Sequence, residues 1–451
     1  MQSPLIESLP YLHDSTCYLA KVRSLGKAVY IDSCANLADG GRYDIISAAP
    51  AFTITHNCGS KTAKIQSSSF ILVREQLIKF NHLEELPLNL PFIGGFIGYL
   101  GYEAGMELEN VTPTADSAIQ LADIELGWYE WAIVNDHQEK QCYLVALPGF
   151  DQKKFIAIKA SIEGVLPANH QHAPFKLNHA FESNTSFDQY KTAFDKIIRY
   201  IHAGDCYQVN LSQQFSTTYT GDTWDAYQQL RAATPSPYSA YMELDSGALL
   251  SLSPEQFISL KQRQVATHPI KGTRPRGETA HEDQALAHAL ENSTKDRAEN
   301  LMIVDLLRND LGKSCVPGSI TVPELFKLQS FSNVHHLVSS ITGTVRDDAD
   351  SIELLTGCFP GGSITGAPKK RAMEIIAELE PHSRSIYCGS IGYIGANGDM
   401  NLNIAIRTLL CEDDKIYCWG GGGIVADSEV EMEYQESFDK IDRLINCLPL
   451  S

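Results

Sequence analysis

A chain of 451 residues, 43% hydrophobic and 20% charged, exceeds one simple core, so two domains or one elaborated domain is the expectation. Its formal net charge of -19 excludes nucleic acid and anionic membranes as general partners, because both demand basic surface. No apolar run is long enough to span a bilayer, Met1–Pro10 lacks the form of a signal peptide, and the 11 cysteines show no CxxC pair. The expectation is a cytoplasmic, non-exported protein with reduced thiols and no zinc motif.

In residues 1–164, short apolar runs alternate with turn residues in the manner of strands: Tyr18–Val22, Ala28–Asp32, Phe52–Thr55 and Ala132–Asn135, with Gly40-Gly41 and Pro50 as turns. Gly94-Gly95-Phe96-Ile97-Gly98-Tyr99-Leu100-Gly101 lacks the strand-to-helix context of a dinucleotide fingerprint and reads as a close crossing of backbones. Residues 165–186 turn to Pro, His, Asn and Ser without periodicity, which marks a linker. The second part, residues 187–451, opens with an amphipathic helix from Phe187 to Ala203. Its Tyr190, Phe194, Ile197, Ile198 and Ile201 share one stripe, and Gly204 stops it.

The chemistry-bearing residues concentrate in this second part. In His268-Pro269-Ile270-Lys271-Gly272-Thr273-Arg274-Pro275-Arg276, an amine sits between rigid proline and permissive glycine, near two guanidinium groups that favour its neutral form. A nucleophilic lysine facing an anion is one reading and a solvated hairpin loop is the other. Glu255 follows Pro254 at the end of the strand Ala248–Leu252, as a general acid or as a turn residue. In the helix Lys295–Arg308, Asp296 and Glu299 share a face that enters apolar surroundings, and a buried carboxylate needs a cation. Gly420-Gly421-Gly422-Gly423 leaves backbone N–H groups for an anion. Beyond it, Glu429, Glu433, Glu436 and Lys440 fall on one helical stripe. That stripe is either a solvated face or, with Asp296 and Glu299, a holder for a hard cation such as Mg²⁺. Arg407, in the apolar strand Ile404-Ala405-Ile406-Arg407-Thr408, faces either an internal carboxylate or a substrate carboxylate.

Ser253-Pro254-Glu255, the lysine segment from Pro269 to Arg276, Asp296-Arg297-Ala298-Glu299-Asn300, Gly361-Gly362-Ser363-Ile364-Thr365-Gly366-Ala367-Pro368-Lys369 and the four glycines with Ile424 occur in that order. Together they resemble the chorismate-utilising enzymes, which include the large subunits of anthranilate and aminodeoxychorismate synthases and the isochorismate and salicylate synthases. The resemblance covers Phe187 to the carboxy terminus and, more loosely, the region around Arg42-Tyr43-Asp44-Ile45. It implies an α+β fold with two large antiparallel β-sheets stacked on each other and helices outside. Lys271 stands where anthranilate synthases typically carry alanine and aminodeoxychorismate synthases carry lysine. Gln208 stands where isochorismate and salicylate synthases place a water-activating lysine. The branch implied is aminodeoxychorismate synthase, with anthranilate synthase component I as the alternative and a non-catalytic chorismate- or tryptophan-binding regulator as a third reading.

That branch implies amination of chorismate at C4, toward 4-aminobenzoate and folate. Mg²⁺ would be held against the ring carboxylate by Glu299 and Glu436, with Asp296 and Glu433 in support through water. The enolpyruvyl carboxylate would meet Arg407, Tyr387 and the backbone of Gly421 and Gly422. His336, Thr365, Gln208 and Lys440 complete the implied substrate site, with packing as the other reading for His336. Lys271 would attack C2 with Glu255 as the acid. This requires an amine pKa depressed by burial, the nearby arginines and the metal. Gly357-Cys358-Phe359-Pro360-Gly361 is not a glutaminase elbow, so a separate glutamine amidotransferase subunit is expected to deliver the ammonia. Some relatives hold tryptophan in the amino-terminal region, which leaves that ligand open here.

Overall fold

The structure, a computed structural model, describes residues 3–35, 40–58, 69–83, 86–114, 118–164, 173–330 and 334–451. Alternation along its strands sends successive side chains to opposite faces. In Trp131–Asp136, Trp131 and Ile133 join one buried apolar cluster while Ala132 and Val134 join another. In Gly247–Ser253, Ala248, Leu250 and Leu252 face one way and Leu249 the other. A sheet with two apolar faces must be covered on both. Helices Thr16–Val22, Gln152–Glu163, Thr223–Ala233 and Val430–Ile445 cover one face through Leu19, Phe155, Trp224 and Ile441. A second sheet covers the other, supplying Phe96, Ile97, Ile394 and Leu402 to the shared core.

Among the described residues the first sheet has 13 strands and the second 10, and their neighbours pair antiparallel. This is the α+β architecture of two stacked antiparallel sheets that the resemblance implied. Strands from both ends of the chain share each sheet: Val29–Asp32 pairs with Tyr238–Glu243, and Gly95–Leu100 pairs with Ser390–Gly395. Of the linker 165–186, residues 165–172 lie outside the described residues, while Lys176–Leu177 and Glu182–Ser183 lie along Gln208–Thr220. No helix among the described residues is long and apolar enough to cross a membrane.

Several local expectations change. Tyr18–Val22 is part of a helix, because its buried Tyr18, Leu19 and Val22 recur at helical rather than strand spacing. The glycine-rich Gly95–Leu100 is the close crossing expected: a Cβ on Gly98 would lie 2.8 Å from Leu126 Cα. The helix Phe187–Ala203 forms as read, opened by a Ser186–Gln189 capping box and closed by left-handed Gly204.

Two crossings between the sheets position the site. The chain leaves the first sheet after Ser253 and enters the second at Gln256; it returns from Asn403 of the second to Thr408 of the first. The Ser253 hydroxyl donates to the Ile404 carbonyl at 2.6 Å and the Ile404 N–H donates to the Glu255 carbonyl at 3.0 Å. The crossings are thereby fastened side by side, one carrying Glu255 and the other Arg407.

Candidate active site

Lys271 lies in the strand Ile270–Pro275, not in a solvated loop. The strand bulges between Lys271 and Thr273, and Gly272 takes φ +79°. A Cβ there would meet Leu290 Cδ1 at 2.8 Å and Asp296 Cγ at 2.9 Å, so only glycine lets the helix Thr294–Gly312 pack this closely behind the lysine. Asn300 of that helix donates to the Leu337 carbonyl and accepts from Ser339, fixing it to the neighbouring strand Val334–Thr344.

Ser363 joins the lysine to the glutamate. Lys271 Nζ donates to the Ser363 carbonyl at 3.2 Å, and the Ser363 hydroxyl donates to Glu255 Oε1 at 2.9 Å. Burial pushes the Glu255 carboxyl up, against the opposing charge of Lys271. Burial pulls the Lys271 amine down, against Glu255 and Glu299 and with help from Lys440. Burial thus works on both members of the pair in the direction of their neutral forms. The arginines expected to assist are engaged elsewhere: Arg274 pairs with Asp296 at 2.9 Å and Arg276 with Asp283 at 2.7 Å. Lys440 supplies the neighbouring positive charge instead.

Behind the lysine, two helices converge. Glu429 caps Val430–Ile445 rather than belonging to it; Glu433 faces inward and is buried, with Oε1 accepting from Ser428. Glu436 pairs with Lys440 at 2.7 Å, and Lys440 Nζ also donates to the Gly421 carbonyl at 2.7 Å. Burial raises the Glu436 carboxyl, but Lys440, Lys271 and Lys295 outweigh it and hold it below the ordinary value. Glu299, on the opposite helix, is raised by burial, with the charges of Asp296 and Glu436 adding to the rise. A Cβ on Gly422 would lie 3.0 Å from Glu433 Oε2 and 3.5 Å from Glu436 Oε1, so both carboxylates hang over one glycine. Glu433 and Glu436 are neighbouring oxygen donors of the kind a hard divalent cation takes, and Glu299 on the opposite helix feels the charge of Glu436, but among the described residues the three carboxylates do not converge within ligand distance of one another. Asp296 reaches the same region already salt-bridged.

The four glycines lie in the strand Lys415–Ile424, paired with Gln208–Thr220. On their other side Thr408–Glu412 pairs only as far as Cys418, so among the described residues no strand lies along that edge of the glycine run. Their smallness has a second cause the sequence did not disclose: a Cβ on Gly420 would overlap the Ser437 carbonyl oxygen of the acidic helix. The glycines let that helix lie directly on the sheet.

Arg407 is in the crossing, not inside a strand, with φ +50°. Among the described residues no carboxylate pairs with it, and burial lowers its guanidinium pKa with Arg443 adding to the effect. Arg407 and His336 line a cavity of about 500 Å³ together with Pro254, Gln256 and Ile270; Lys271 and Glu255 do not line it. Burial, then the charge of Arg407, lowers the His336 pKa to about 4, and Nδ1 lies 2.9 Å from the Thr273 hydroxyl. Tyr387 is buried, stacked on Trp419 at 6.2 Å. Thr365 is fully buried with its hydroxyl on the Gly361 and Gly362 carbonyls, so it holds the turn. Gln208 is fully buried, and neither side-chain polar atom has a hydrogen-bond partner. A Cβ on Gly423 would lie 2.8 Å from its Nε2.

Sequence reasoning missed the residues that brace this set. Glu380 accepts from Arg384 at 2.7 and 2.8 Å, and the same guanidinium donates to the Ile364 and Asn210 carbonyls, tying the turn before Thr365 to the Gln208 strand. Neither residue lies on a periodic element, so no pattern could mark them.

A buried lysine joined through Ser363 to a buried glutamate, with carboxylates nearby, is matched by what the sequence is similar to. The sequence profile of the chorismate binding enzymes matches residues 27–446. The chain belongs to the chorismate-binding enzymes. It is 44% identical over 458 aligned residues, 99% of this chain and 100% of the other, to aminodeoxychorismate synthase component 1 of Klebsiella aerogenes. Anthranilate synthase component 1 of Lactococcus lactis is 35% identical, covering 92% of this chain and 93% of that protein. The crystal structure of anthranilate synthase component I from Streptococcus pneumoniae superposes with a TM-score of 0.79 at 31% identity, covering 90% of this chain and 92% of that one. As a chorismate-binding enzyme, the chain carries the family's likeness well upstream of Phe187, into strands that share both sheets with the carboxy-terminal part.

Proposed function

We propose that this chain is the large component of an aminodeoxychorismate synthase, converting chorismate and ammonia to 4-amino-4-deoxychorismate and water. The observation that carries the assignment is the Lys271–Ser363–Glu255 arrangement, in which burial favours the free amine and the protonated acid. The curated relative from Klebsiella aerogenes, matched end to end, bears the same activity in its name.

Lys271 Nζ attacks C2 of chorismate; both ring double bonds shift, from C1=C2 and C5=C6 to C1=C6 and C4=C5, and the C4 hydroxyl leaves as water with the proton of Glu255. The secondary ammonium so formed returns a proton to the Glu255 carboxylate. Ammonia then adds at C4, both double bonds return, and Lys271 leaves as the amine with the Glu255 proton, which the new C4 ammonium restores, so one difficult substitution becomes two easier ones. Glu299 and Glu436 would hold Mg²⁺, with Glu433 and Asp296 in support, and the ion would supply charge neutralisation for the ring carboxylate. Arg407, unpaired by any carboxylate among the described residues, takes the enolpyruvyl carboxylate, which Tyr387 and the backbone of Gly421 and Gly422 would also meet. Thr365 and Gln208 shape the floor, His336 orients the substrate as a neutral imidazole, and Lys440 sets the field around Lys271. A separate glutamine amidotransferase supplies the ammonia, in a cytoplasmic setting, and equilibrium dialysis decides whether the amino-terminal region also binds tryptophan.

The test is to mix the full chain with chorismate and Mg²⁺ in the absence of ammonia, quench with acid, and map peptides by mass. A chorismate-derived adduct minus water on the Lys271 peptide is expected, discharged by an ammonium chase. Turnover with ammonium and no adduct under single-turnover conditions would remove the covalent role.

A further inference from the structure

At the outer end of the ten-stranded sheet, far in sequence from Lys271, Glu255 and the acidic helices, three side chains of metal-binding type converge. His56 ends the strand Phe52–His56, Cys58 follows it, and Glu107 projects from the helix Tyr102–Leu108. One ligand atom from each lies within 4.8 Å of the other two. We propose that His56, Cys58 and Glu107 form a structural site for a borderline-soft divalent cation of the Zn²⁺ class, which fastens an edge strand to a helix.

The donor set decides the class of ion. Imidazole, thiolate and carboxylate together suit Zn²⁺ or Co²⁺ and not Mg²⁺ or Ca²⁺, which take oxygen. Ligand atoms about 2.0–2.3 Å from a tetrahedral ion stand roughly 3.3–3.6 Å apart. His56 Nε2 and Glu107 Oε2 are already 3.1 Å apart, so a small movement of the thiol completes the set. Asp123 is the adjoining carboxylate: its Oδ2 accepts from the Cys58 N–H at 2.6 Å, and its carbonyl accepts from Gly101, one residue before the helix. It is placed to orient Cys58 or to serve as a fourth ligand. His56 is buried and Cys58 and Glu107 are half-buried, which excludes much competing water.

The location gives the ion work to do. Phe52–His56 lies at the end of its sheet, paired with Ile124–Tyr129, and an edge strand is the part of a sheet most in need of a tie. The helix it would be tied to carries Glu103, whose carboxylate accepts from the Arg384 N–H at 2.9 Å, and begins with Tyr102, whose N–H donates to the Ser385 carbonyl. The ion would thus stiffen the support of the segment that presents Tyr387. A search for CxxC spacing could not find this site, because its ligands are joined only by the fold.

The test is a Co²⁺ titration of the full chain after EDTA treatment, read as thiolate-to-cobalt absorption in the near ultraviolet. One equivalent should saturate the band. Cys58→Ser should abolish it, and His56→Ala and Glu107→Gln should each weaken binding at least tenfold. The double variant Glu299→Gln, Glu436→Gln should leave it intact, which separates this site from the Mg²⁺ donors. Zn²⁺ should raise the thermal midpoint of the wild-type chain and not that of Cys58→Ser. No band at one equivalent, or a band unchanged in Cys58→Ser, overturns the proposal. Should Cys58→Ser fail to fold, unchanged Co²⁺ affinity in both His56→Ala and Glu107→Gln overturns it equally.

Discussion

Gly420→Ala tests whether the glycine run exists to seat the acidic helix. Gly420 has no left-handed backbone to protect, so the effect of an added methyl is purely steric. That methyl would overlap the Ser437 carbonyl oxygen, approach Ser437 C to 3.1 Å, and stand 3.3 Å from Ile441 Cγ2. Backbone cannot rotate aside, so the helix Val430–Ile445 must lift by roughly 1 Å, an overpacking cost of about 1–3 kcal/mol. The same movement displaces Glu433 and Glu436 relative to Glu299. A displacement of about 1 Å at a catalytic constellation costs up to about 100-fold in rate. The assay pairs urea denaturation with the Mg²⁺ concentration for half-maximal ammonium-dependent turnover. The expected result is a lower urea midpoint at unchanged slope and a raised Mg²⁺ requirement. Gly312→Ala is the control, since its new methyl meets only Ile320 Cδ1 at 3.9 Å, and it should match or exceed wild-type stability by up to about 1 kcal/mol. A Gly420→Ala chain with wild-type midpoint and Mg²⁺ response would refute the seating argument.

Glu255→Gln keeps the Ser363 contact but removes the proton, so kcat should fall by about 10²–10⁴ and the alkaline limb of the pH–rate profile, set by the raised carboxyl, should disappear; a retained limb assigns the acid elsewhere. His336 carries a stability signature. Its pKa falls from 6.5 to about 4 on folding, so between those values the unfolded chain binds a proton the folded chain refuses, and stability is lost as pH falls through that window. The gap corresponds to roughly 3 kcal/mol; denaturation of His336→Gln at pH 7 and at pH 4.5 should show a shallower loss than wild type, and an identical loss contradicts the burial argument. Arg407→Lys removes planar two-point recognition while breaking no carboxylate pair, so KM for chorismate should rise at least tenfold with little change in the urea midpoint; an unchanged KM removes Arg407 from the substrate.

The sequence disclosed what short-range pattern can carry. The helix Phe187–Ala203 was legible because a capping box, an apolar stripe and a terminal glycine agree. Lys271 was legible because Pro269 and Gly272 mark a special backbone, and the structure adds that Gly272 is required by Asp296 and Leu290 behind it. Partners across the fold were not legible. Arg274 and Arg276 stand beside Lys271 in sequence yet bind Asp296 and Asp283, while Lys440, far along the chain, takes the place assigned to them. Arg407 looked like a strand residue because its neighbours are apolar; those neighbours line a crossing between sheets, which also presents an apolar face to the core. Ser363 was visible as part of a motif but without a role, since only the fold brings its carbonyl to Lys271 and its hydroxyl to Glu255.

The most direct test of the account is the product formed by the purified full chain from chorismate, Mg²⁺ and ammonium at mildly alkaline pH, separated by chromatography with and without an aminodeoxychorismate lyase. The account predicts 4-amino-4-deoxychorismate, converted to 4-aminobenzoate only when the lyase is present. Formation of 2-aminobenzoate without the lyase would contradict it.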